Sequence, residues 1–415
     1  MWTQGRMGKR RFAIAVASFY GALFIIYGTH VPFMPLWLDW RGLSASEISA
    51  VMAVPFFLRL FVTPTVAMAA DHAGTHRRYL IVLAWFALAF VLALAMARSF
   101  WPILLFAVPL IISFSTLMPL IETIAVHGVR SRGLDYGRMR LWGSLTFVAA
   151  SFFGGMAITG FGSGAGVWLV AIGCALTLIV AYALPASERS AAPTHGGALP
   201  LWSTAAPRQL LAEREFQLFL LAAGLVQAAH ATFLTFGTLL WHKQGFSATW
   251  SGALWAIGVF AEVLLFSISG RVARWFGAAE LIAIGAGVSI LRWAALATEP
   301  PLVLLVPLQI LHGVTYGASH IGAIHFIHDA IPREKSGSAQ ALYATVASGL
   351  AMGAATLIAG AVYARAGALS YLAMAAIAAV ALAAALRLIS VWDGGPIFEP
   401  APSSSLQPQS SRSGG

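Results

Sequence analysis

The fold class predicted by this chain is all-α membrane: twelve transmembrane helices in two pseudo-symmetric six-helix bundles. Three observations predict it. Of 415 residues, 59% are hydrophobic and only 10% are charged, where a soluble globular chain carries roughly 25% charge. Apolar stretches near the length of a spanning helix, about 20 residues, recur along the whole chain as six and then six. The chain also repeats itself: the run SASEISAVMAVPFFLR from Ser44 to Arg59 and the run SATWSGALWAIGVFAE from Ser247 to Glu262 align at one offset. That offset carries Gly42 onto Gly245, Phe33 onto Phe236 and Gly74 onto Gly277.

The first span, 12–38, follows a basic terminus, 1–11, with Arg6, Lys9, Arg10 and Arg11. It is too long for a signal peptide, lacks a clear small-residue cleavage site and is followed by more spans. Apolar stretches at 46–70, 79–97, 101–127, 139–160 and 165–185 complete a first bundle, 12–185. The segment 186–213 is the only long polar interruption bearing Pro, Gly and Ser, and reads as a linker. Spans at 215–241, 247–270, 278–297, 301–328, 338–364 and 367–391 form a second bundle, 214–392. The tail 393–415, ending SSSLQPQSSRSGG, has the composition of a disordered segment. The single cysteine, Cys174, cannot form an internal disulfide and reads as a small core residue.

A net charge of +10 invites a nucleic-acid reading, but the placement of the charges opposes it. With the N-terminus inside, the cytoplasmic side holds nearly all the lysines and arginines. The opposite side has only Arg41, Arg98, Lys243 and Arg365. This asymmetry predicts both termini in the cytoplasm, and the basic balance is topological.

Polar residues inside the spans mark function, because ionisable groups in hydrocarbon cost several kcal/mol and face a cavity or each other. Arg59 lies in the second span and Glu262 in the eighth, at matching positions of the repeat. Glu122 lies in the fourth span, Arg138 and Arg140 open the fifth, Gln227 and His230 lie in the seventh, and Arg292 in the ninth. The tenth carries Gln309, His312, Tyr316 and His320 at steps of three and four, hence one helical face. Opposite charges at symmetry-related depths are the pattern of a machine that moves something charged. A coupled carrier needs a group that is neutral when desolvated and charged when wet or paired. Rearrangement of Glu262 relative to Arg292, or to Arg59, would serve.

The loop Asp71-His72-Ala73-Gly74-Thr75-His76-Arg77-Arg78 resembles the signature cytoplasmic loop of the major facilitator superfamily, though Ala67 and His72 depart from it. That resemblance implies a conformational gate at Asp71, Gly74 and Arg77, with the aspartate docking on helix ends of the other half. The run from Leu134 to Ser144 (LDYGRMRLWGS), with GLVQAAHATF and FAEVLLFSISGRV, resembles the phenylpropionate permease family over nearly the whole chain. It resembles the lactose permease more loosely, in motifs only. The resemblance implies a substrate-binding pair at Glu122 and Arg140; Phe147, Gln227, His230 and Trp255, polar or aromatic residues of the spans, are the further substrate-binding candidates. It also implies proton coupling and substrate contacts at Glu262, Arg292 and His312; Arg59 joins the coupling candidates through the repeat, not the resemblance. Two departures matter: Thr315 stands where the lactose permease has a coupling carboxylate, and Phe147 where it has a sugar-stacking tryptophan.

These readings predict a proton-coupled symporter of a small organic solute in the inner (plasma) membrane, monomeric, in contact with the lipid bilayer, with no nucleic-acid partner. No Walker loop is present, so energy comes from an ion gradient, and no cofactor or metal is expected. Surplus positive charge from Arg59, Arg140 and Arg292, with Trp142, Phe147, Trp255 and Phe260 on the same helices, suits an aromatic carboxylate such as 3-phenylpropionate. A sugar or nucleoside is the alternative. The rival class, a membrane metalloenzyme using His320, His325 and His328, is opposed by scattered histidines: His312 to His328 would span roughly 24 Å of helix.

Overall fold

The computed structural model describes residues 8–185 and 205–398. Most of the linker, 186–204, and the tail from 399 lie outside the described residues, as do residues 1–7. Among the described residues there are helices and no strands. The first half contains α1 (Lys9–Trp40), α2 (Ala45–Ala73), α3 (His76–Met96), α4 (Phe100–Arg132), α5 (Tyr136–Phe161) and α6 (Gly166–Ala183). A short helix, Ala205–Ala212, leads into the second half. There α7 (Arg214–Lys243) is interrupted at Ala229 and His230, and α8 (Ala248–Ser267) continues as Ser269–Trp275. Then come α9 (Ala278–Leu296), α10 (Leu302–Ala330), α11 (333–366) and α12 (Ser370–Val391).

Among the described residues eleven apolar helical stretches have spanning length. The last, Arg333–Val391, has 59 residues, far more than one crossing needs. It turns at Gly367, whose φ of +53° suits glycine, so it supplies α11 and α12 and brings the crossings to twelve.

The sequence repeat is a repeat of local geometry. Gly42 and Gly245 both take left-handed φ, +84° and +90°. Leu43 N–H then donates to Leu38 O and Phe246 N–H to Trp241 O, which closes the ends of α1 and α7 alike. Ser44 and Ser247 cap α2 and α8 with matching backbone angles, accepting from Glu47 N–H and Trp250 N–H at 3.4 Å each. The correspondence ends at Gly74 and Gly277: the first is left-handed at +60°, the second an extended N-cap at −67°.

The halves meet along α5 against α8 and α2 against α11, and both seams close through glycine. A Cβ on Gly252 would lie 2.1 Å from Ser151 O, and one on Gly155 2.3 Å from Ala248 O. At the other seam Gly360 lies against Ser49, Gly353 against Phe57 and Gly349 against Leu60. These helical glycines allow backbones to approach more closely than any side chain permits. Thr159 Oγ1 also accepts from Thr249 N–H at 3.0 Å, tying α5 to the first turn of α8. All these contacts seal the face bearing the 41–44 and 244–247 connections. On the opposite face the halves stand apart.

Residues 393–398, placed in a disordered tail by composition, pack on the second half. Ile397 N–H donates to Ala330 O at 3.0 Å, and Lys335 Nζ sits 3.6 Å from the centre of the Phe398 ring. Apolar Ile397 and Phe398 supply the anchor.

Gly252→Val tests the seam. Overpacking of a tight contact costs about 1–3 kcal/mol, which should shift the protein by about fivefold or more away from this closed arrangement. Cys174 is buried, so a cysteine placed at Leu234 in the cavity reports cleanly. Its alkylation from the sealed side should rise in the Gly252→Val background.

Candidate functional site

A cavity of about 1220 Å³ lies between the halves and opens on the face bearing residues 135–138 and Ser269. Its wall collects polar side chains from both bundles: Arg59, Glu122 and Arg140 from the first, Gln227, His230, Glu262, His312, Tyr316 and His320 from the second. Three irregularities of the second half surround it. α7 breaks at Ala229–His230, α10 widens into a π turn at Gly313–Ala318, and α11 does so at Val346–Ala351. Such turns release backbone groups from the regular helical ladder. Here Ser348 O, inside the α11 turn, accepts from Arg59 Nη2 across the α2–α11 seam. Arg59 also lies 4.7 Å from the centre of the Phe56 ring.

Close packing of α8 on α10 brings the coupling candidates together. Gly258 faces His312, Gly313 faces Ala261 and Gly317 faces Leu265 and Glu262. Glu262 Oε2 is then 3.7 Å from His312 Nε2. This corrects the expected pairing: Glu262 neighbours the histidine, and neither Arg292 nor Arg59 is its ion-pair partner. Arg292 is fully buried and absent from the cavity wall. Its Nε donates to Leu308 O at 2.7 Å, Nη2 to Gln309 Oε1 at 3.0 Å, and Nη1 to Thr315 Oγ1 at 3.2 Å and His312 Nδ1 at 3.3 Å. The guanidinium lies against the Trp293 and Phe233 rings, 4.6 and 4.8 Å from their centres. With no carboxylate at position 315, α10 satisfies the arginine through neutral acceptors.

In the first half, Glu122 and Arg140 share the cavity wall but form no ion pair in this arrangement. Tyr136 donates its hydroxyl to Glu122 Oε1 at 3.3 Å. Arg140 lies over the Phe24 ring at 4.1 Å and the Tyr20 ring at 5.4 Å. Among the described residues its guanidinium has ring contacts and no hydrogen bond. Gly143 leaves it that place, since a Cβ there would meet both Arg140 Nη1 and Phe24 at 3.0 Å.

The aromatic surface differs from the expected set. Phe147 and Trp255 line the cavity, Trp255 anchored by Nε1–H to Thr238 Oγ1 at 2.9 Å. Trp142 and Phe260 are 56% and 54% exposed and absent from that wall, because their helical positions turn them toward the lipid side. Phe24, Tyr27, Phe56, Tyr136, Phe266 and Tyr316 take their place. The repeat could have found Tyr27, which maps onto His230. Gln227 donates to Ser319 Oγ at 3.4 Å, and His230 lies 3.2 Å from Thr315 Oγ1.

At the loop after α2, Gly74 reverses the chain and Asp71 meets His76 at 2.7 Å. Arg77 Nη2 donates to Tyr182 O at 2.7 Å. These contacts stay within the first half, unlike the inter-half docking the loop's resemblance implies, because the halves are apart on this face. Among the described residues no cluster of three or more His, Cys, Asp or Glu could hold a metal.

Comparison with known proteins accounts for this architecture. Residues 13–373 match the model of the MFS_1 like family. The chain belongs to the MFS_1 like family. It is 30% identical over 349 residues to the probable 3-phenylpropionic acid transporter of Escherichia coli strain K12, covering 83% of this chain and 89% of the relative. To the maltose permease of Geobacillus stearothermophilus it is 27% identical, covering 82% and 85%. Among solved structures, the nucleoside transporter NupG superposes with a TM-score of 0.78 at 16% identity, covering 91% of this chain and 98% of that one. The protein is thus a multi-pass membrane transporter of the major facilitator type.

Proposed function

We propose that the protein is a proton-coupled symporter of a small aromatic monocarboxylate, with 3-phenylpropionate as the first candidate. The observation that carries the reading is Arg140, lying on Phe24 with no hydrogen-bond partner among the described residues, in a cavity whose inner charges balance. Arg59 and Arg140 face Glu122 and Glu262; Asp135 and Arg138 pair at the mouth, 3.6 Å apart. With Arg292 outside the wall, the surplus positive charge inferred from three arginines disappears. A proton on Glu262 restores it: the loaded cavity then carries one net positive charge, the complement of one carboxylate. Arg140 would hold that carboxylate through its planar fork, while Phe24, Phe147 and Trp255 pack the ring. Gln227 and His230 would border the site from the second half.

The named relative at 30% identity transports a compound of this class as a probable activity, which supports the choice. A neutral polyol is the second reading, favoured by the maltose permease likeness and by the carboxylate–phenol–guanidinium set of Glu122, Tyr136 and Arg140. A thermal-shift screen of 3-phenylpropionate, maltose and a nucleoside on purified protein separates them. Stabilisation by maltose or the nucleoside alone would overturn the carboxylate reading.

We place the open face, and both termini, in the cytoplasm of a monomer in the inner membrane, on the strength of the arginine distribution. The cavity would then face inward, and Asp71, Gly74 and Arg77 would gate its closure. A cysteine introduced in the 186–204 linker should react with impermeant reagents from the cytoplasmic side only; labelling of intact cells would reverse the assignment.

Arg140→Lys should weaken 3-phenylpropionate binding while leaving thermal unfolding unchanged. Losing one charge-assisted hydrogen bond costs about 2 kcal/mol, roughly thirtyfold in affinity. Wild-type affinity in that variant would reduce Arg140 to a topological arginine. Glu262→Gln mimics the permanently protonated carrier. It should exchange labelled substrate across proteoliposome membranes yet fail to accumulate it against a gradient. Normal proton-driven accumulation by a well-folded Glu262→Gln protein would move the coupling role elsewhere.

A further inference from the structure

We infer that Arg292 is a positioning residue acting through His312. By donating to Nδ1 it holds the imidazole as the Nε2–H tautomer, and this leaves the Glu262 carboxylate as the place where the transported proton binds. The link to transport rests on the symport reading above; the tautomer does not.

A guanidinium has only donors and keeps its charge. Arg292 Nη1 lies 3.3 Å from His312 Nδ1, so Nδ1 must be the accepting lone pair. A neutral imidazole has one N–H, which is then on Nε2, the atom 3.7 Å from Glu262 Oε2. His230 is held the opposite way. Its Nδ1 lies 3.0 Å from Val226 O, which can only accept, so Nδ1 carries the hydrogen and Nε2, 3.2 Å from Thr315 Oγ1, is the bare nitrogen. Thr315 makes both assignments possible. It accepts from Arg292 Nη1 without the charge of a carboxylate, which would draw the guanidinium away from the ring.

The groups facing His312 come from four helices. Glu262 stands on α8, Arg292 on α9, and His230 and Phe233 on α7, with ring centres 5.6 and 5.7 Å away; Tyr316 is 5.5 Å away on α10 itself. A second proton on His312 would abolish the bond from Arg292 and set two like charges in contact. Glu262 is under no such restriction. As a carboxylate it faces the Nε2–H. Once protonated it finds no acceptor on that ring, and its hydroxyl is free to turn into the cavity. The locked tautomer thereby makes the position of the carboxyl depend on the proton it carries.

The test uses full-length protein in detergent, without substrate, with 15N-labelled histidine. Resonances are assigned through His312→Gln and His230→Gln. The wild type should show His312 protonated on Nε2 and His230 on Nδ1, each singly, across the range in which ordinary histidines titrate. His312 seen as the Nδ1–H form, or as imidazolium, overturns the inference whatever the variants do. Arg292→Met, which has no donor, should release the ring into a mixture, the tautomer ratio falling about tenfold or more as for a lost charge-assisted hydrogen bond. An unchanged ratio overturns it too. Arg292→Gln has an amide donor and no charge; it should restore the Nε2–H form and recover part of the proton-driven 3-phenylpropionate accumulation that Arg292→Met loses. Restored tautomer with no recovered accumulation would break the link from ring to coupling. Failure of 3-phenylpropionate to bind at all would sink the substrate reading and leave the tautomer assignment intact.

Discussion

A charge cannot face lipid, and the architecture of this transporter follows from where its charges are enclosed. Arg59, Glu122, Arg140 and Glu262 stand on four helices of two bundles, and only the space between the bundles takes all four out of hydrocarbon. Arg292 is treated differently. It is sunk inside the second bundle and satisfied by a backbone carbonyl, an amide, a hydroxyl and an imidazole of α10. The cavity charges line the space between the bundles, whereas the buried one is committed to contacts that hold α9 on α10 and reach His312.

Glycine sets the distances at which these groups act. The seam glycines Gly155, Gly252 and Gly360 bring the halves into backbone contact on one face, which leaves the other face open by geometry. Gly258, Gly313 and Gly317 do the same between α8 and α10, and the approach of Glu262 to His312 depends on them. Close packing inside a bilayer gains little from hydrophobic burial and depends on such small residues. The seams therefore combine tight van der Waals contact with few polar ties, Arg59 to Ser348 and Thr159 to Thr249 among them. That composition suits surfaces that part and rejoin.

The departures from the lactose permease pattern form a consistent set. Thr315 in place of an acid leaves Arg292 without a carboxylate and gives His312 an arginine donor. Phe147 presents an apolar ring to the cavity. Both changes leave the site with one acid fewer and an aromatic-lined wall.

The sequence by itself determined the twelve crossings, the duplication and the identity of the enclosed charges. Each is local or periodic: apolar runs of spanning length, and Gly42-x-Ser44 recurring as Gly245-x-Ser247 with the same cap and the same left-handed glycine. Only the tertiary structure decided which charges meet. Sequence position placed Glu262 near Arg292 and Glu122 near Arg140, yet Glu262 faces His312 and Arg140 lies on Phe24. It likewise decided that Phe24 and Tyr27, rather than Trp142 and Phe260, line the cavity. The physical reason is rotation. A helix in lipid shows a weak apolar pattern around its axis, so its facing is set by neighbouring helices, by glycine contacts and by π turns such as 313–318, none of which a single strand of sequence specifies.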